Sequence, residues 1–162
     1  MKLISLLEKL EYTCLQGSTD QEVKNVIYDS RKVEEGSLFI CIRGAVVDGH
    51  KFVPDVVAKG AKVLIVEEAV EAPEDVTVIL VKDTRYAMAF ISAAYFGYPA
   101  EKLKTIGITG TKGKTTTTYM VKSILENAGY KVGLIGTIEA IIGDKVIPAK
   151  NTTPESYVIQ EY

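Results

Sequence analysis

The stretch TGTKGKTTTT, residues 109–118, constrains the fold of this chain more than any other part of it. It follows an apolar run at residues 103–108 and precedes an amphipathic segment at residues 119–127. This order predicts a strand, a glycine-rich turn and a helix. The first N–H groups of a helix lack intrahelical partners and the helix dipole favours anions there, so the turn predicts a phosphate site.

Each residue type in this loop has a chemical reason. Gly110 and Gly113 allow the turn and the close approach of phosphate oxygens. Lys114 is the predicted catalytic residue, because its ammonium group would reach the β- and γ-phosphates of a nucleotide, and the Thr115 hydroxyl is the predicted Mg²⁺ ligand. The predicted nucleotide-binding residues are Gly110, Thr111, Lys112, Gly113, Lys114, Thr115 and Thr116.

The loop departs from the strict G-x-x-x-x-G-K-[ST] pattern, because Ile108 stands where that pattern has its first glycine. A tight strand-to-helix turn with a surface lysine is therefore one alternative. A P-loop kinase or GTPase-like switch is another, but it would need that glycine and a downstream acidic motif, and the sequence has neither. The run of threonines consists of poor helix formers, so helix propensity does not explain it.

Composition narrows the function classes. The chain has 162 residues, which predicts one domain or one domain and part of another, and its net charge of −2 does not favour nucleic acid or an anionic membrane. The tyrosines are scattered, which argues against a single-stranded nucleic-acid binder. No segment predicts a membrane span or export signal, so Cys14 and Cys41 are expected as reduced thiols in a cytoplasmic protein. The single histidine, His50, is expected to be structural, and zinc is not expected.

The first part of the chain predicts a small α/β domain that ends between residues 98 and 99, in a stretch containing glycine and proline. Asp83 is the expected N-cap of its last helix. Periodicity and β-branched runs predict helices at 2–11, 52–60 and 84–96 and strands at 23–28, 37–42, 61–66 and 76–81.

The second part predicts the start of a parallel-sheet nucleotide-binding domain. A β-α-β unit is expected from a strand at 103–109, the phosphate loop, a helix at 115–128 and a strand at 131–135. A hairpin with strands at 137–142 and 145–147 follows, and Pro154 suits the first turn of another helix. A sheet of this class needs more strands, so the chain is expected to be the first part of a longer protein. Its unfinished edges predict possible self-association and lower stability than in the first domain.

The phosphate loop resembles the nucleotide loop of the Mur ligases, TGTNGKTT, with Lys112 in place of the asparagine. The sequence N-T-T-P at 151–154 is similar to the branch of that family that adds the third amino acid and differs from the branch that adds D-Ala-D-Ala. The resemblance covers nearly the whole chain, through YDSRKV at 28–33, GSLFI at 36–40, GxxxDGH at 44–50, DxRxAMA at 83–89 and YFGYP at 95–99.

The resemblance implies an ATP-dependent ligase of peptidoglycan synthesis, with roles in cell shape and cell division. ATP would phosphorylate the D-Glu side-chain carboxylate of UDP-MurNAc-L-Ala-D-Glu, and an amine of meso-diaminopimelate or L-lysine would attack the acyl phosphate. Residues 1–98 would bind the UDP-MurNAc substrate, and residues 99–162 would be an incomplete ATP-binding domain. Residues 45–47 would lie along the uridine, and the implied substrate contacts are Ser30, Asn151, Thr152 and Thr153.

Other readings stay open for these residues. Ser30 is otherwise a turn hydroxyl, Asp29 and Arg31 are expected as a local ion pair, and Thr152 and Thr153 are otherwise a helix cap. A D-Ala-D-Ala-adding ligase and a non-catalytic UDP-sugar-peptide module are the alternative functions. The further magnesium-binding glutamate, the carbamylated lysine and the amino-acid-binding domain of the family have no counterpart before Tyr162, so this chain alone is not expected to turn over. The sequence does not choose between diaminopimelate and lysine.

Overall fold

A computed structural model describes residues 1–44, 47–149 and 151–162. The chain forms two compact units, Met1–Pro99 and Ala100–Tyr162, so the boundary lies one residue after the predicted position. Within the described ranges no helix is both long and apolar enough to cross a membrane.

The first unit is built on a five-stranded sheet. Its strands are β1 Thr13–Gln16, β2 Asn25–Ile27, β3 Ser37–Ile40, β4 Val63–Val66 and β5 Thr77–Leu80. The spatial order is β1-β5-β4-β3-β2, with β2 to β5 parallel and β1 antiparallel to β5. Every residue of β3 and β4 is buried, as expected for parallel strands that are covered on both faces. The α/β class predicted for the first domain is confirmed.

Three α-helices accompany this sheet: α1 Leu3–Leu6, α2 Val53–Ala58 and α3 Thr84–Tyr95, with 3₁₀ turns at Ser30–Lys32 and Gly49–Phe52. A further 3₁₀ turn, Pro99–Lys102, spans the boundary between the two units. The core beneath α2 joins Val53 and Val56 to Phe39, Leu64 and Val78 of the sheet. The predicted N-cap of α3 is confirmed, because the Asp83 carboxylate accepts a hydrogen bond of 2.9 Å from the Tyr86 N–H group. This core fixes the strand ends and the turns that follow them.

Two predictions about the N-terminus were wrong. The helix expected at 2–11 is only the short α1, because Leu3 N–H donates to the Gln21 carbonyl and Val23 N–H donates to the Met1 carbonyl, which ties this segment to a neighbouring loop. Strand β1 was not predicted. Its residues are mostly exposed, and the strand is set by its long-range pairing with β5, in which Thr13 lies opposite Leu80.

The second unit contains α4 Lys114–Asn127, β6 Leu134–Ile135, β7 Glu139–Ile142, β8 Lys145–Pro148 and α5 Ser156–Glu161. The three strands form an antiparallel sheet in the order β6-β7-β8. The predicted loop-to-helix order and the hairpin around Gly143 are confirmed. Pro154 does not lie in the first turn of α5, because that helix begins at Ser156 with Glu155 as its N-cap.

The predicted β-α-β unit is not formed in the described residues. Residues 103–109 are not a strand, and Leu103 and Ile106 are 66% and 61% exposed. The strand predicted at 131–135 shrinks to β6, which pairs antiparallel with β7. An extended apolar segment becomes a strand only when a neighbouring strand satisfies its backbone N–H and C=O groups. Residues 103–109 have no such neighbour in the described part of the chain.

Candidate functional site

The phosphate loop leaves backbone donors open at the start of α4. Gly113 is the N-cap, with φ +77° in the left-handed region, and no side chain caps the helix. The first bond of the helical ladder is donated by Thr117 N–H to the Gly113 carbonyl at 2.9 Å. The N–H groups of Lys114, Thr115 and Thr116 therefore have no acceptor within the helix and are available to an anion.

Lys114 lies against the loop that precedes it. Its Nζ donates a hydrogen bond of 2.6 Å to the Gly110 carbonyl, and the side chain is half-buried. This contact holds the ammonium group at the loop that leads into the first turn of α4. The structure thus brings together Lys114, Gly110 and Gly113 of the predicted nucleotide set, whereas Thr111 and Lys112 are exposed.

The four threonines that open α4 divide into two pairs. Thr117 Oγ1 donates to the Gly113 carbonyl at 2.9 Å, and Thr118 Oγ1 donates to the Lys114 carbonyl. The hydroxyls of Thr115 and Thr116 make no hydrogen bond to any residue that the structure describes. The hydroxyls of Thr117 and Thr118 therefore bond to the helix backbone, as threonine hydroxyls in helices often do. The hydroxyls of Thr115 and Thr116 are therefore available to a ligand. A hydroxyl oxygen, as at Thr115, is a suitable ligand for a hard cation such as Mg²⁺.

A contact that the sequence did not predict joins this helix to the hairpin. Tyr119 donates its phenolic O–H to Glu139 Oε1 at 2.6 Å, and this hydrogen bond raises the pKa of Tyr119 above its ordinary value. The two residues are twenty positions apart, so no local pattern could reveal the pair. The bond ties the first turns of α4 to β7.

Ser30 lies in a turn that its neighbours organise. Asp29 accepts hydrogen bonds from the Arg31 backbone N–H at 3.1 Å and from Arg31 Nε and Nη2 at 2.9 and 2.7 Å. The guanidinium group lowers the pKa of Asp29 to about 2. The predicted local ion pair is therefore confirmed. Ser30 is half-buried, and no described residue is hydrogen-bonded to its hydroxyl, which leaves that group for a ligand.

Lys59 also contacts this turn, and the sequence analysis did not predict that contact. Its Nζ donates to the Ser30 carbonyl at 3.1 Å and to Asp55 Oδ2 at 2.7 Å. Lys59 is the C-cap of α2 and lies 29 positions from Ser30. The spacing of Asp55 and Lys59 by four residues was the one available signal, and it indicates only a helix-surface ion pair.

The other predicted substrate contacts are on exposed backbone. Asn151, Thr152 and Thr153 lie in the second unit and are exposed, whereas Ser30 belongs to the first unit. Of the segment expected along the uridine, Val47 accepts a 3.0 Å hydrogen bond from Gly44 N–H through its carbonyl. Ala45 and Val46 lie outside the described residues.

His50 joins three loops that follow parallel strands. Its Nε2 accepts from Glu67 N–H at 2.9 Å, so Nδ1 carries the proton and donates to Asp48 Oδ1 at 2.6 Å. Glu67 Oε1 in turn accepts from the Thr84 backbone N–H and hydroxyl, each at 2.8 Å. The expectation that His50 is structural agrees with this network.

The same region brings Asp48, His50 and Glu68 within 4.8 Å of one another through atoms that could ligate a metal, a grouping that the sequence did not suggest. Both ring nitrogens of His50 already have partners. Arg43 also pairs with the carboxylates of Asp48 and Glu68. Asp48, His50 and Glu68 therefore each already have a partner within the protein, although one arginine is shared among the carboxylates.

Taken together, the first unit is a parallel α/β domain, and the second carries a glycine-rich phosphate loop at a helix N-terminus. Sequence profiles identify the family: "Mur ligase family, catalytic domain" matches residues 22–96, and "Mur ligase middle domain" matches residues 108–162. The chain belongs to the Mur ligase family.

Two curated relatives of this chain carry the same enzyme name. The UDP-N-acetylmuramoyl-L-alanyl-D-glutamate--2,6-diaminopimelate ligases of Clostridium perfringens and Clostridium tetani are 53% and 48% identical to it over 99% of its length. The chain spans about a third of the length of these relatives.

Solved structures agree with the fold. A structure of a UDP-N-acetylmuramoyl-L-alanyl-D-glutamate--2,6-diaminopimelate ligase superimposes with a TM-score of 0.74, at 22% identity, over 99% of this chain and 32% of that one. MurF from Acinetobacter baumannii superimposes with a TM-score of 0.62, at 33% identity, over 85% of this chain and 28% of that one. The similarity spans both units of the chain, since the first alignment covers nearly all of its residues.

Proposed function

We propose that this chain is the UDP-sugar-binding and nucleotide-binding part of an ATP-dependent ligase that adds diaminopimelate to UDP-MurNAc-L-Ala-D-Glu. The observation that carries the proposal is the first turn of α4, with open N–H groups, the Lys114 ammonium and the unbonded Thr115 and Thr116 hydroxyls. The names of the curated relatives support diaminopimelate rather than lysine, and they favour this branch over the D-Ala-D-Ala-adding one.

The chemistry requires a site of this kind. A carboxylate is a poor electrophile, and transfer of the γ-phosphoryl group of ATP to the D-Glu carboxylate creates a leaving group that an amine can displace. Catalysis of phosphoryl transfer is mainly positioning and neutralisation of charge. The open N–H groups would hold phosphate oxygens, and Lys114 would exchange the Gly110 carbonyl for the β- and γ-phosphates. Mg²⁺ bound through the Thr115 hydroxyl would neutralise further phosphate charge.

Substrate recognition is assigned to the unbonded polar groups. The Ser30 hydroxyl in the first unit and the side chains of Asn151, Thr152 and Thr153 in the second can donate to and accept from the oxygens of a UDP-sugar. A second candidate is a module that binds the UDP-sugar peptide without catalysis. It would use the Ser30 hydroxyl, to which no described residue is hydrogen-bonded.

Calorimetric titration of the chain with Mg-ATP tests the proposal. Lys114→Met should weaken binding at least about tenfold, since it removes a charged hydrogen-bond donor. Lys122→Met is the matched control, because Lys122 lies on the same helix but its Nζ is paired with Glu126 at 2.6 Å. Equal affinities for the two variants would contradict the assignment of the loop.

The magnesium assignment has its own matched pair of variants. Thr115→Val should remove the part of the ATP affinity that depends on Mg²⁺, because it deletes an unbonded hydroxyl. Thr117→Val deletes a hydroxyl that is already bonded to the Gly113 carbonyl, so it should preserve that dependence. The assignment fails if both variants show the Mg²⁺ dependence of the original chain.

Binding and turnover separate the two candidate functions. The chain should bind UDP-MurNAc-L-Ala-D-Glu saturably, and Ser30→Ala should weaken that binding. The isolated chain should not form tripeptide product with ATP and diaminopimelate, because the resemblance puts further catalytic groups outside it. Reproducible ATP-dependent product formation by the 162-residue chain would refute that expectation.

A further inference from the structure

We infer that Lys59 is a positioning residue for the UDP-sugar substrate, because it fixes the turn that presents the Ser30 hydroxyl. The inference rests on the proposed function and adds a residue to it. The Ser30 turn comprises residues 29–32. Lys59 acts through Ser30 and is not itself assigned a contact with the substrate.

The bonds inside the Ser30 turn are local. Asp29 receives the backbone and side-chain donors of Arg31, and Lys32 N–H donates to the Asp29 carbonyl at 2.9 Å. These bonds set the shape of the turn, but they do not attach it to the rest of the domain. Arg31 is also strongly exposed, with 86% of its side chain accessible, so the ion pair by itself is a weak anchor.

Lys59 supplies a hydrogen-bonded attachment, in addition to the core packing of Val33, the residue that follows the turn. Its bond to the Ser30 carbonyl, at 3.1 Å, is the single hydrogen bond in the described structure that joins residues 30–32 to a residue outside the turn. The bond is made to the very residue whose hydroxyl is free. A shift of this carbonyl would move the Ser30 side chain, because both belong to one residue.

Lys59 extends from a helix that packs into the core. Lys59 caps α2, whose residues Val53 and Val56 are 3% and 0% exposed in the core. Asp55, one turn earlier, also accepts a hydrogen bond from the ammonium group at 2.7 Å, which favours its position beside α2. The chain of contacts therefore runs from the core through α2 and Lys59 to Ser30.

The principal test is a binding cycle with UDP-MurNAc-L-Ala-D-Glu on the whole chain. Lys59→Met should weaken binding about threefold to tenfold, as expected for loss of one intramolecular hydrogen bond, and Lys59→Arg should restore most of the affinity. Lys62→Met is the control: Lys62 is paired with Asp75 and is 40% exposed, against 39% for Lys59, but it does not bond Ser30. Unchanged affinity in Lys59→Met would overturn the inference.

A double variant separates positioning from direct contact. If Lys59 acts through Ser30, Lys59→Met should have little effect in a Ser30→Ala background. Multiplicative losses in the double variant would mean that Lys59 acts independently of Ser30 and would overturn the positioning role.

Hydrogen exchange on the ligand-free chain tests the anchoring role of Lys59 without depending on substrate binding. NMR-detected exchange of the Arg31 and Lys32 amides should become severalfold faster in Lys59→Met and stay unchanged in Lys62→Met. If the original chain binds no UDP-sugar, the proposed function fails while the exchange result still reports on the anchor. Unchanged exchange in Lys59→Met would refute the anchoring step itself.

Discussion

Replacement of Gly113 by alanine should reduce nucleotide affinity through backbone conformation alone. The residue has φ +77°, and a Cβ atom built there would meet nothing within 4 Å. The cost is therefore the intrinsic cost of the left-handed region for an L-residue, about 1–2 kcal/mol. If that cost shifts the loop away from its binding conformation, the competent fraction and the apparent affinity for ATP should fall about 5- to 30-fold.

Gly129 provides a matched control on the same helix. It follows the C-terminal end of α4 with φ +88°, and again nothing lies within 4 Å of a built Cβ. Gly129→Ala should therefore lose a similar free energy of unfolding in urea, followed by circular dichroism, and keep its affinity for Mg-ATP in calorimetry. Full ATP affinity in Gly113→Ala, or an equal loss of affinity in both variants, would refute the argument that the loop conformation is required.

Three further predictions concern the first unit. The pKa of Asp29 is about 2 in the folded chain against an ordinary 3.8. Ionised Asp29 should therefore add about 1 kcal/mol, after screening, to the free energy of unfolding above pH 4, and this stabilisation should be lost towards pH 2. The difference in urea stability between the original chain and Asp29→Asn should disappear over that range. Burial raises the pKa of Cys41 to about 12, so a thiol reagent at pH 8 should label exposed Cys14 and reach Cys41 only after unfolding. Phe39→Ala should cost about 3–5 kcal/mol, measured by urea unfolding, because Phe39 is 1% exposed.

Local sequence signals predicted the parts of this fold that depend on local physics. The buried strands β3 and β4 carry continuous apolar runs, and the cap at Asp83 needs only its own turn. The loop at the start of α4 was predicted for the same reason, because glycine, lysine and threonine act there within a few residues of one another. In each case the partners of a residue lie close to it in the chain.

Predictions failed where the partner is distant or is missing from the described residues. Strand β1 depends on β5, more than sixty positions away, and its own pattern is mostly exposed. Residues 103–109 have the composition of a strand but no neighbour to pair with. Lys59 and Tyr119 were missed because Ser30 and Glu139 reach them only through the tertiary fold.

The contact between Lys114 and the Gly110 carbonyl bears on the thermodynamics of nucleotide binding. The lysine already has an acceptor at 2.6 Å, so a phosphate oxygen would replace a bond rather than add one. The enthalpy of that exchange should be small, and its gain should come from the greater negative charge of phosphate. The side chain is also already ordered before the ligand arrives, which lowers the entropy lost on binding. The contribution of Lys114 to nucleotide affinity should therefore fall steeply as the salt concentration rises and change little with temperature.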